Sequence, residues 1–135
     1  MRRFSAALAA CLLLVGSAGT VLAQDKEIYT YATYHYCDVD KQDRADEIVA
    51  QVDKPLLDAA VAGGSLTSWG WMAHHTGGKW RRVQFSQASS LDGLLAAQKS
   101  VNDQAESTAK GKALGKEFAA ACRSHDDYIW RAVAG

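Results

Sequence analysis

The sequence contains little proline and no excess of charge of either sign. One proline and 11 glycines among 135 residues exclude collagen-like and proline-rich chains. The 15 basic and 15 acidic residues balance, so no positive excess is present to neutralise nucleic-acid phosphates, and we expect no nucleic-acid partner. The hydrophobic content of 48% is typical of a globular protein, and the length suits a single domain.

The common catalytic motifs are also missing from the sequence. It has no glycine-rich phosphate loop, no Gly-x-Ser-x-Gly turn and no His-Glu-x-x-His zinc helix. Most carboxylates lie at predicted helix starts, where solvation and the helix dipole explain them without catalysis. The sequence therefore leaves open whether the protein is an enzyme and which ligand or substrate it takes.

The N-terminal segment has the features of a secretory signal peptide, in the usual order. Arg2 and Arg3 precede an apolar run, and Val21-Leu22-Ala23 supplies small or apolar residues before a cut after Ala23. The apolar run is short for a membrane span. We expect residues 1–23 to be removed and residues 24–135 to form one α+β domain. The product would be periplasmic or secreted, with no stable membrane anchor.

Four segments have the composition of β-strands. The first is dense in aromatic and β-branched residues, and Gly77-Gly78 is a hairpin signal between the second and the third. The strands are expected at residues 28–36, 66–75, 80–86 and 128–133.

Apolar residues at helical spacing fill the intervals between these strands. One helix is expected over residues 48–61, where Pro55 either kinks it or opens a second one. Another is expected over 91–101. Residues 103–112 are polar and predict a loop or frayed helix, followed by a short extra helix over 114–122.

This order of elements predicts a ferredoxin-like βαββαβ fold. Such a fold has a four-stranded antiparallel sheet with the helices on one face. Here a short additional helix precedes the last strand.

Counting outward from Gly77-Gly78 sorts the hairpin residues onto two faces, since opposed side chains share a face. One face, with Met72 opposite Val83, is the more aliphatic, and we place it under the helices. The other face combines aromatic and polar side chains, which are Trp69, Trp71, His75, Trp80, Arg82 and Gln84.

We expect this tryptophan-bearing face to be free of helices and to need a cover. Three indoles amount to several hundred Å² of apolar surface (roughly 150–250 Å² each), more than a soluble monomer usually exposes. A second copy packed sheet to sheet would cover them, as would a ligand between the two sheets. The first hypothesis is therefore an exported homodimer that binds a small aromatic or apolar ligand in an inter-sheet cavity. A purely structural or interaction module is an alternative.

The strand order, aromatic sheet face and length resemble the dimeric α+β barrel superfamily. The resemblance covers residues 27–133 and rests on topology, without a signature motif. The superfamily includes haem-degrading and cofactor-independent monooxygenases and many members without known activity. The resemblance implies a homodimer with a barrel cavity. It adds a second hypothesis, a haem-dependent or cofactor-free monooxygenase with His75 or His35 near the reacting centre.

Two cysteines, Cys37 and Cys122, remain after the signal peptide is cut. In the predicted topology the end of the first strand lies beside the start of the last, so a disulfide is expected. Its chain-entropy contribution would be about 4–5 kcal/mol. The alternative is a zinc site formed by these cysteines with His35 and His125. We expect no cofactor, with haem and zinc as the alternatives.

His75 is the histidine singled out for chemistry. Its neighbour His74 faces the opposite side of the strand, so the two are poorly placed to bind one ion. On the tryptophan face beside Arg82, His75 could be a haem ligand, a proton shuttle or a partner for an anionic ligand. A solvent-exposed histidine at the hairpin tip is the plainer alternative.

Overall fold

The computed structural model describes residues 27–133, so the predicted signal segment lies outside the described residues. One antiparallel sheet has the strand order β2-β3-β1-β4. The first and last strands are neighbours, which confirms the ferredoxin-like α+β fold. The strands are β1 (Tyr29–Cys37), β2 (Ser68–Ala73), β3 (Arg82–Ala88) and β4 (Cys122–Arg131).

The helices lie on one face of this sheet, as predicted. Pro55 divides the first helical segment into two helices. The first helix ends before Val52, and Pro55 falls in the first turn of the next one. The helices are α1 (Gln42–Gln51), α2 (Asp53–Ala62), α3 (Leu91–Ala105) and α4 (Ala109–Ala121). A single 3₁₀ turn (Val39–Lys41) precedes α1.

The polar segment 103–112 is mostly helical and not a loop. Helix α3 continues to Ala105, and the Thr108 side chain caps α4 by accepting a hydrogen bond from the Gly111 N–H. The hydrophobic periodicity did not predict these helical turns, because one face of each helix is solvated and few apolar residues mark the turns. Strand β4 likewise begins at Cys122 and not at Tyr128, since an exposed edge strand needs no apolar alternation.

The hairpin register is confirmed. Trp71 lies opposite Gln84 and Met72 opposite Val83, as counting from the glycine pair predicts. Gly77 and Gly78 have φ values of 76° and 69°, the left-handed region that a type I′ turn requires at both central positions.

The assignment of the two hairpin faces is wrong. The indole of Trp69 donates a hydrogen bond of 2.8 Å to Asp58 on α2, and that of Trp71 one of 2.7 Å to Asp46 on α1. Arg82 is buried and makes two hydrogen bonds of 2.7 Å to Asp46. These side chains lie on the covered face, beneath the helices. The open face instead carries Tyr34, Met72, Val83, Phe85, Tyr128 and Trp130.

The physical reason is the polar part of each side chain. Hydropathy favours burying Met72 and Val83, but an indole N–H or a guanidinium can be buried when an acceptor is within reach. Helices α1 and α2 supply carboxylates at the required positions. The open face is left with the more apolar side chains, so the expectation of an exposed aromatic surface holds with different residues.

The predicted disulfide is confirmed between Cys37 and Cys122, which are 85 positions apart in sequence. It lies in a buried cluster with Ala45 and Ala121, where β1, α1, α4 and β4 meet. With the two sulfur atoms bonded to each other, neither cysteine offers a thiolate for the zinc alternative with His35 and His125. Within residues 27–133, no other grouping of His, Cys, Asp or Glu suits a metal ion, and no helix there is long and apolar enough to cross a membrane.

Candidate functional site

A cavity of about 790 Å³ lies between the covered face of the sheet and the four helices, with α2 contributing Asp53. Strand β1 contributes alternate side chains to it, because residues two apart on a strand share a face. Hydrophobic side chains from the helices line the cavity, together with polar side chains from both the sheet and the helices. The side chains that matter below are Tyr31, His35, Gln84, Asp53, Phe118, His125 and Asp127.

His35 is the most buried polar side chain of this cavity. It is 7% exposed, and its Nδ1 is buried without a hydrogen-bond partner among the described residues. Burial, with a smaller effect of nearby His125, lowers the pKa of His35 to about 4. The imidazole is therefore neutral at pH 7 and retains an unsatisfied nitrogen.

Aromatic rings surround this imidazole. The ring centroids of Phe118 and Trp71 are 5.2 Å and 5.4 Å from that of His35, and the Phe118 ring is perpendicular to it. His125 is 5.8 Å away on the neighbouring strand β4. Two apolar aromatic rings and a second imidazole therefore surround the His35 ring.

Strand β4 provides the more exposed wall. His125 Nε2 lies 3.5 Å from the Asp127 carboxylate. Burial and the nearby charge of Asp127 raise the pKa of Tyr31, so its phenol is protonated at neutral pH. Tyr31 on β1 and Asp127 on β4 therefore offer the cavity a hydrogen-bond donor and a negative charge.

Asp53 introduces a carboxylate from the first turn of α2. Burial raises the pKa of Asp53 to about 6. Negative charge dominates the rest of the lining, which includes Glu106 and Asp127. Lys99 is the one permanently cationic side chain among the described lining residues, and it is ion-paired with Asp103.

The structure separates the predicted ligand-binding residues. Gln84 lines the cavity and Trp71 packs against His35, whereas Trp69 and Arg82 are held by helix carboxylates. The remaining two, His75 and Trp80, belong to the hairpin tip on the open face.

His75 is not beside Arg82, so that prediction is wrong. Its Nδ1 lies 2.7 Å from Thr76 Oγ1, and its side chain is exposed. Trp80 packs against Tyr34 at a centroid distance of 6.5 Å on the open face. Strand β2 ends at Ala73 and β3 begins at Arg82, so His75 and Trp80 lie in the connecting loop and do not follow the alternation of the strands.

Tyr31, Asp53, Phe118 and Asp127 did not emerge from the sequence as site residues. A signal for part of the site existed, since Tyr31 and His35 alternate on β1 with the buried Cys37. No local pattern marks Asp53 or Phe118, because they reach the cavity only when α2 and α4 pack on the sheet.

Neither a protein-family model nor a curated protein matches this sequence. Solved structures do match it. A dimeric ferredoxin-like protein from an uncultured marine organism has 10% identity and a TM-score of 0.62, over 82% of this chain and 91% of that one. A NIPSNAP family protein from Agrobacterium tumefaciens has 13% identity and a TM-score of 0.58, over 79% and 86%.

A third match is a Nitrosomonas europaea protein proposed to be an antibiotic biosynthesis monooxygenase. It has 11% identity and a TM-score of 0.54, over 78% of this chain and 90% of that one. At such identities the likeness shows the fold alone. The chain therefore has a ferredoxin-like α+β fold, and the resemblance inferred from the sequence is confirmed at the level of the fold.

Proposed function

We propose that the protein binds a small aromatic molecule bearing a hydroxyl group in the cavity that contains His35. The observation that supports this is His35, a neutral imidazole that lines the cavity and is the most buried polar side chain in it. A hydrogen bond between a ligand hydroxyl and this imidazole would contribute about 0.5–1.5 kcal/mol. This moves the predicted ligand site from between two sheets to between the sheet and its own helices.

The surroundings of His35 support an aromatic ligand. Phe118 and Tyr31 line the cavity, and offset or edge-on aromatic contacts with them would add about 0.5–1.5 kcal/mol each. A neutral imidazole can accept or donate one hydrogen bond, and a hydroxyl can do either. The two groups are therefore compatible whichever nitrogen carries the proton.

A cofactor-free monooxygenase is the second candidate, supported by the fold shared with the Nitrosomonas protein. In that reaction His35 would take the hydroxyl proton, and molecular oxygen would be the oxidant. A base with a pKa of about 4 removes few protons from an ordinary phenol with a pKa of about 10. Binding is therefore the better supported role, and turnover would need a more acidic substrate. Oxygen uptake with such a substrate, lost in His35→Leu, is its test.

The haem-dependent version does not fit this cavity. Haem carries two propionates, which need cationic partners. The lining offers the carboxylates of Asp53, Glu106 and Asp127 instead, and Lys99 is already paired. Adding haem and recording the visible spectrum should accordingly give no Soret shift.

We propose further that two copies pair through the open face. Met72, Tyr128 and Trp130 are 48%, 45% and 56% exposed there, and such apolar patches mark interfaces. The marine neighbour of the same fold is described as dimeric. Trp130→Lys should give a monomer in sedimentation, whereas Val39→Lys, outside this face, should not. A dimer that binds no aromatic ligand would favour the purely structural alternative.

Export to the periplasm or the exterior is the proposed location. The Cys37–Cys122 disulfide supports it, since such bonds persist mainly in oxidising compartments. Fractionation of the producing cell, with N-terminal sequencing of the product, tests both the location and the cut after Ala23.

The ligand proposal is tested by calorimetric titration of the disulfide-bonded protein with 4-ethylphenol. Replacing His35 with leucine keeps the volume similar and removes the nitrogen, so affinity should fall about tenfold. His75→Leu, at the hairpin tip, is the matched control and should bind as the parent does. Absence of binding to the parent, or equal binding by His35→Leu, would contradict the proposal.

A further inference from the structure

We propose that the open face carries a second ligand site, beside the hairpin tip, which binds a small molecule with an aromatic body and a carboxylate. A cavity of about 510 Å³ lies there, on the opposite side of the sheet from the cavity that contains His35. It combines apolar side chains with two imidazoles, and the residues that matter below are Tyr34, Met72, Val83, Trp80, His74 and His75.

The unpaired charge of Arg81 carries the first step. Every other arginine within residues 27–133 is ion-paired with a carboxylate, and these are Arg44, Arg82, Arg123 and Arg131. Arg81 has no such partner in that part of the chain. Its Nη1 lies 3.3 Å from Nδ1 of His74 instead, and an imidazole carries no negative charge. A half-buried guanidinium without a counter-ion favours a bound anion.

The adjacent Arg82 shows why Arg81 lacks a carboxylate. Successive residues of a strand face opposite sides of the sheet. Arg82 points beneath the helices and donates two hydrogen bonds of 2.7 Å to Asp46. The backbone pairing continues one residue beyond β3, where the His74 N–H donates to the Arg81 carbonyl at 3.0 Å. Arg81 therefore points to the open face beside His74, which lines the cavity.

The charge of the whole hairpin has one sign. Residues 59–91 contain no aspartate or glutamate, and Lys79 adds a second cation, with its Nζ 4.4 Å from the ring centroid of Trp80. The open face does carry Asp126, which pairs with Tyr34 across β1 and β4, but Asp126 does not line this cavity. The field at the hairpin tip therefore attracts an anion and repels a cation.

The apolar lining selects the body of the ligand. The rings of Tyr34 and Trp80 form one wall, with their centroids 6.5 Å apart and their planes at 59°. Met72 and Val83 lie opposite each other on β2 and β3 and form the base. A ligand ring can pack offset or edge-on against the two aromatic rings while Arg81 donates hydrogen bonds to its carboxylate. The cavity volume is in the ordinary range for small-molecule sites.

The test compares 3-phenylpropanoate with 3-phenylpropanamide, which has the same ring and chain but no charge. In calorimetric titration of the disulfide-bonded protein at neutral pH, the propanoate should bind about tenfold more tightly, since hydrogen bonds to a charged group are worth about that factor. Equal affinities for the two probes would exclude recognition of the carboxylate.

Substitution of Arg81 assigns the effect to one guanidinium. In Arg81→Gln the affinity for the propanoate should fall about tenfold, whereas the amide should bind as it does to the parent. Arg131→Gln is the matched control, because it removes the same charge from an arginine of β4 that is paired with Glu27. Equal losses in the two variants would reduce the effect to net charge and refute the role of Arg81. Near-ultraviolet circular dichroism verifies that each variant is folded.

Tryptophan fluorescence locates the bound probe. Trp80 lines this cavity, so the change in emission on binding should disappear in Trp80→Phe, which keeps an aromatic ring. A change that persists in this variant would place the probe beside another indole and overturn the site.

Met72 also belongs to the face through which two copies are proposed to pair, so the titration is repeated in Trp130→Lys. Trp130 pairs with Thr30, which is four residues, or about 13 Å, along β1 from Tyr34. The substitution therefore leaves the cavity intact, and binding of the propanoate should be retained. Loss of binding would mean that the site needs a second copy, which contradicts a site formed by one chain.

His35→Leu separates this site from the proposed function. The propanoate should bind this variant as it binds the parent, and saturation with 4-ethylphenol should not displace it. Displacement would place the propanoate in the His35 cavity and overturn this inference, while the aromatic ligand of that cavity stands. If the propanoate does not bind at all, this inference fails, and the titration with 4-ethylphenol still decides the proposed function.

Discussion

The covered and open faces of the sheet both carry aromatic side chains, but different contacts hold them. On the covered face the indole nitrogens of Trp69 and Trp71 donate to carboxylates of the helices. On the open face Tyr34 and Tyr128 pack edge to face, 5.6 Å between centroids, and Trp130 extends the row. The position of a polar partner therefore decides which face of an aromatic strand is covered.

The largest expected effect contrasts one tryptophan from each face. Trp71→Ala removes a half-buried indole and its hydrogen bond to Asp46, and should lower the free energy of unfolding by about 3 kcal/mol. Trp130→Ala removes a side chain that is 56% exposed and should cost about 0.5 kcal/mol or less in the monomer. Urea unfolding followed by far-ultraviolet circular dichroism measures both.

Protein concentration separates the two contributions of Trp130. If the open face is the dimer interface, the cost of Trp130→Ala should grow as concentration rises, because dimer formation stabilises the native chain by mass action. The loss of unfolding free energy caused by Trp71→Ala should not grow with protein concentration in the same way. Equal costs for both variants in dilute monomer would refute the distinction between the faces.

Local rules predicted the features that depend on adjacent residues. Gly77-Gly78 fixes the hairpin register, because both positions adopt the positive φ of a tight turn. Strand order then follows from the split βαβ topology, and the nearness of Cys37 to Cys122 follows from strand order. Each of these features follows from the one before it.

The choice of covered face needed information from a distance. Register determines that Trp71 and Gln84 share a face, but it does not say which face the helices cover. That depends on Asp46 and Asp58 being presented by α1 and α2 at the height of the indoles. The cavity depends on packing in the same way, since His35, Asp53 and Phe118 come from three elements that meet only in the folded chain.

Folding shifts the pKa values of His35 and Asp53, which both line the cavity, in opposite directions. The pKa of His35 falls from 6.5 to about 4 on folding, so the unfolded chain binds more protons in that range. Its contribution to stability is therefore lost as the pH falls from 6.5 to 4. The pKa of Asp53 rises from 3.8 to about 6, so its contribution is lost as the pH rises from 4 to 6.

These two effects oppose each other in the parent protein and should nearly cancel between pH 4 and 6. Asp53→Asn should uncover the His35 effect, with stability rising by on the order of 2–3 kcal/mol from pH 4 to 6.5. His35→Asn should uncover the opposite slope. Urea unfolding midpoints measured from pH 4 to 6.5 give the slope of stability against pH for each variant. Slopes of the same sign in Asp53→Asn and His35→Asn would contradict the burial of one of the two groups.

The smallest expected effect tests how tightly the open face is packed. Gly70 lies opposite Phe85, and a Cβ at Gly70 would meet that ring, 2.7 Å from its Cζ. Gly70→Ala should therefore cost about 1 kcal/mol in the monomer, because the Phe85 ring must move aside but has an uncovered face into which it can swing. Gly115→Ala is the control, because a Cβ there would meet no atom within 4 Å beyond its chain neighbours and the backbone of its own helix. It should be stabilised by about 0.5–1 kcal/mol through helix propensity.

A partner copy on the open face would change this cost. If a second sheet packs against Phe85, the ring loses the space into which it would move, and the strain of Gly70→Ala then adds to the free energy of dimer formation. The variant should consequently dissociate at higher protein concentration than the parent in sedimentation. The double substitution Gly70→Ala with Phe85→Val removes the overlapping ring atoms and should recover part of the unfolding free energy in the monomer. A cost that persists in the double variant would place its origin in the β2 backbone, and the open face would then be looser than its aromatic row suggests.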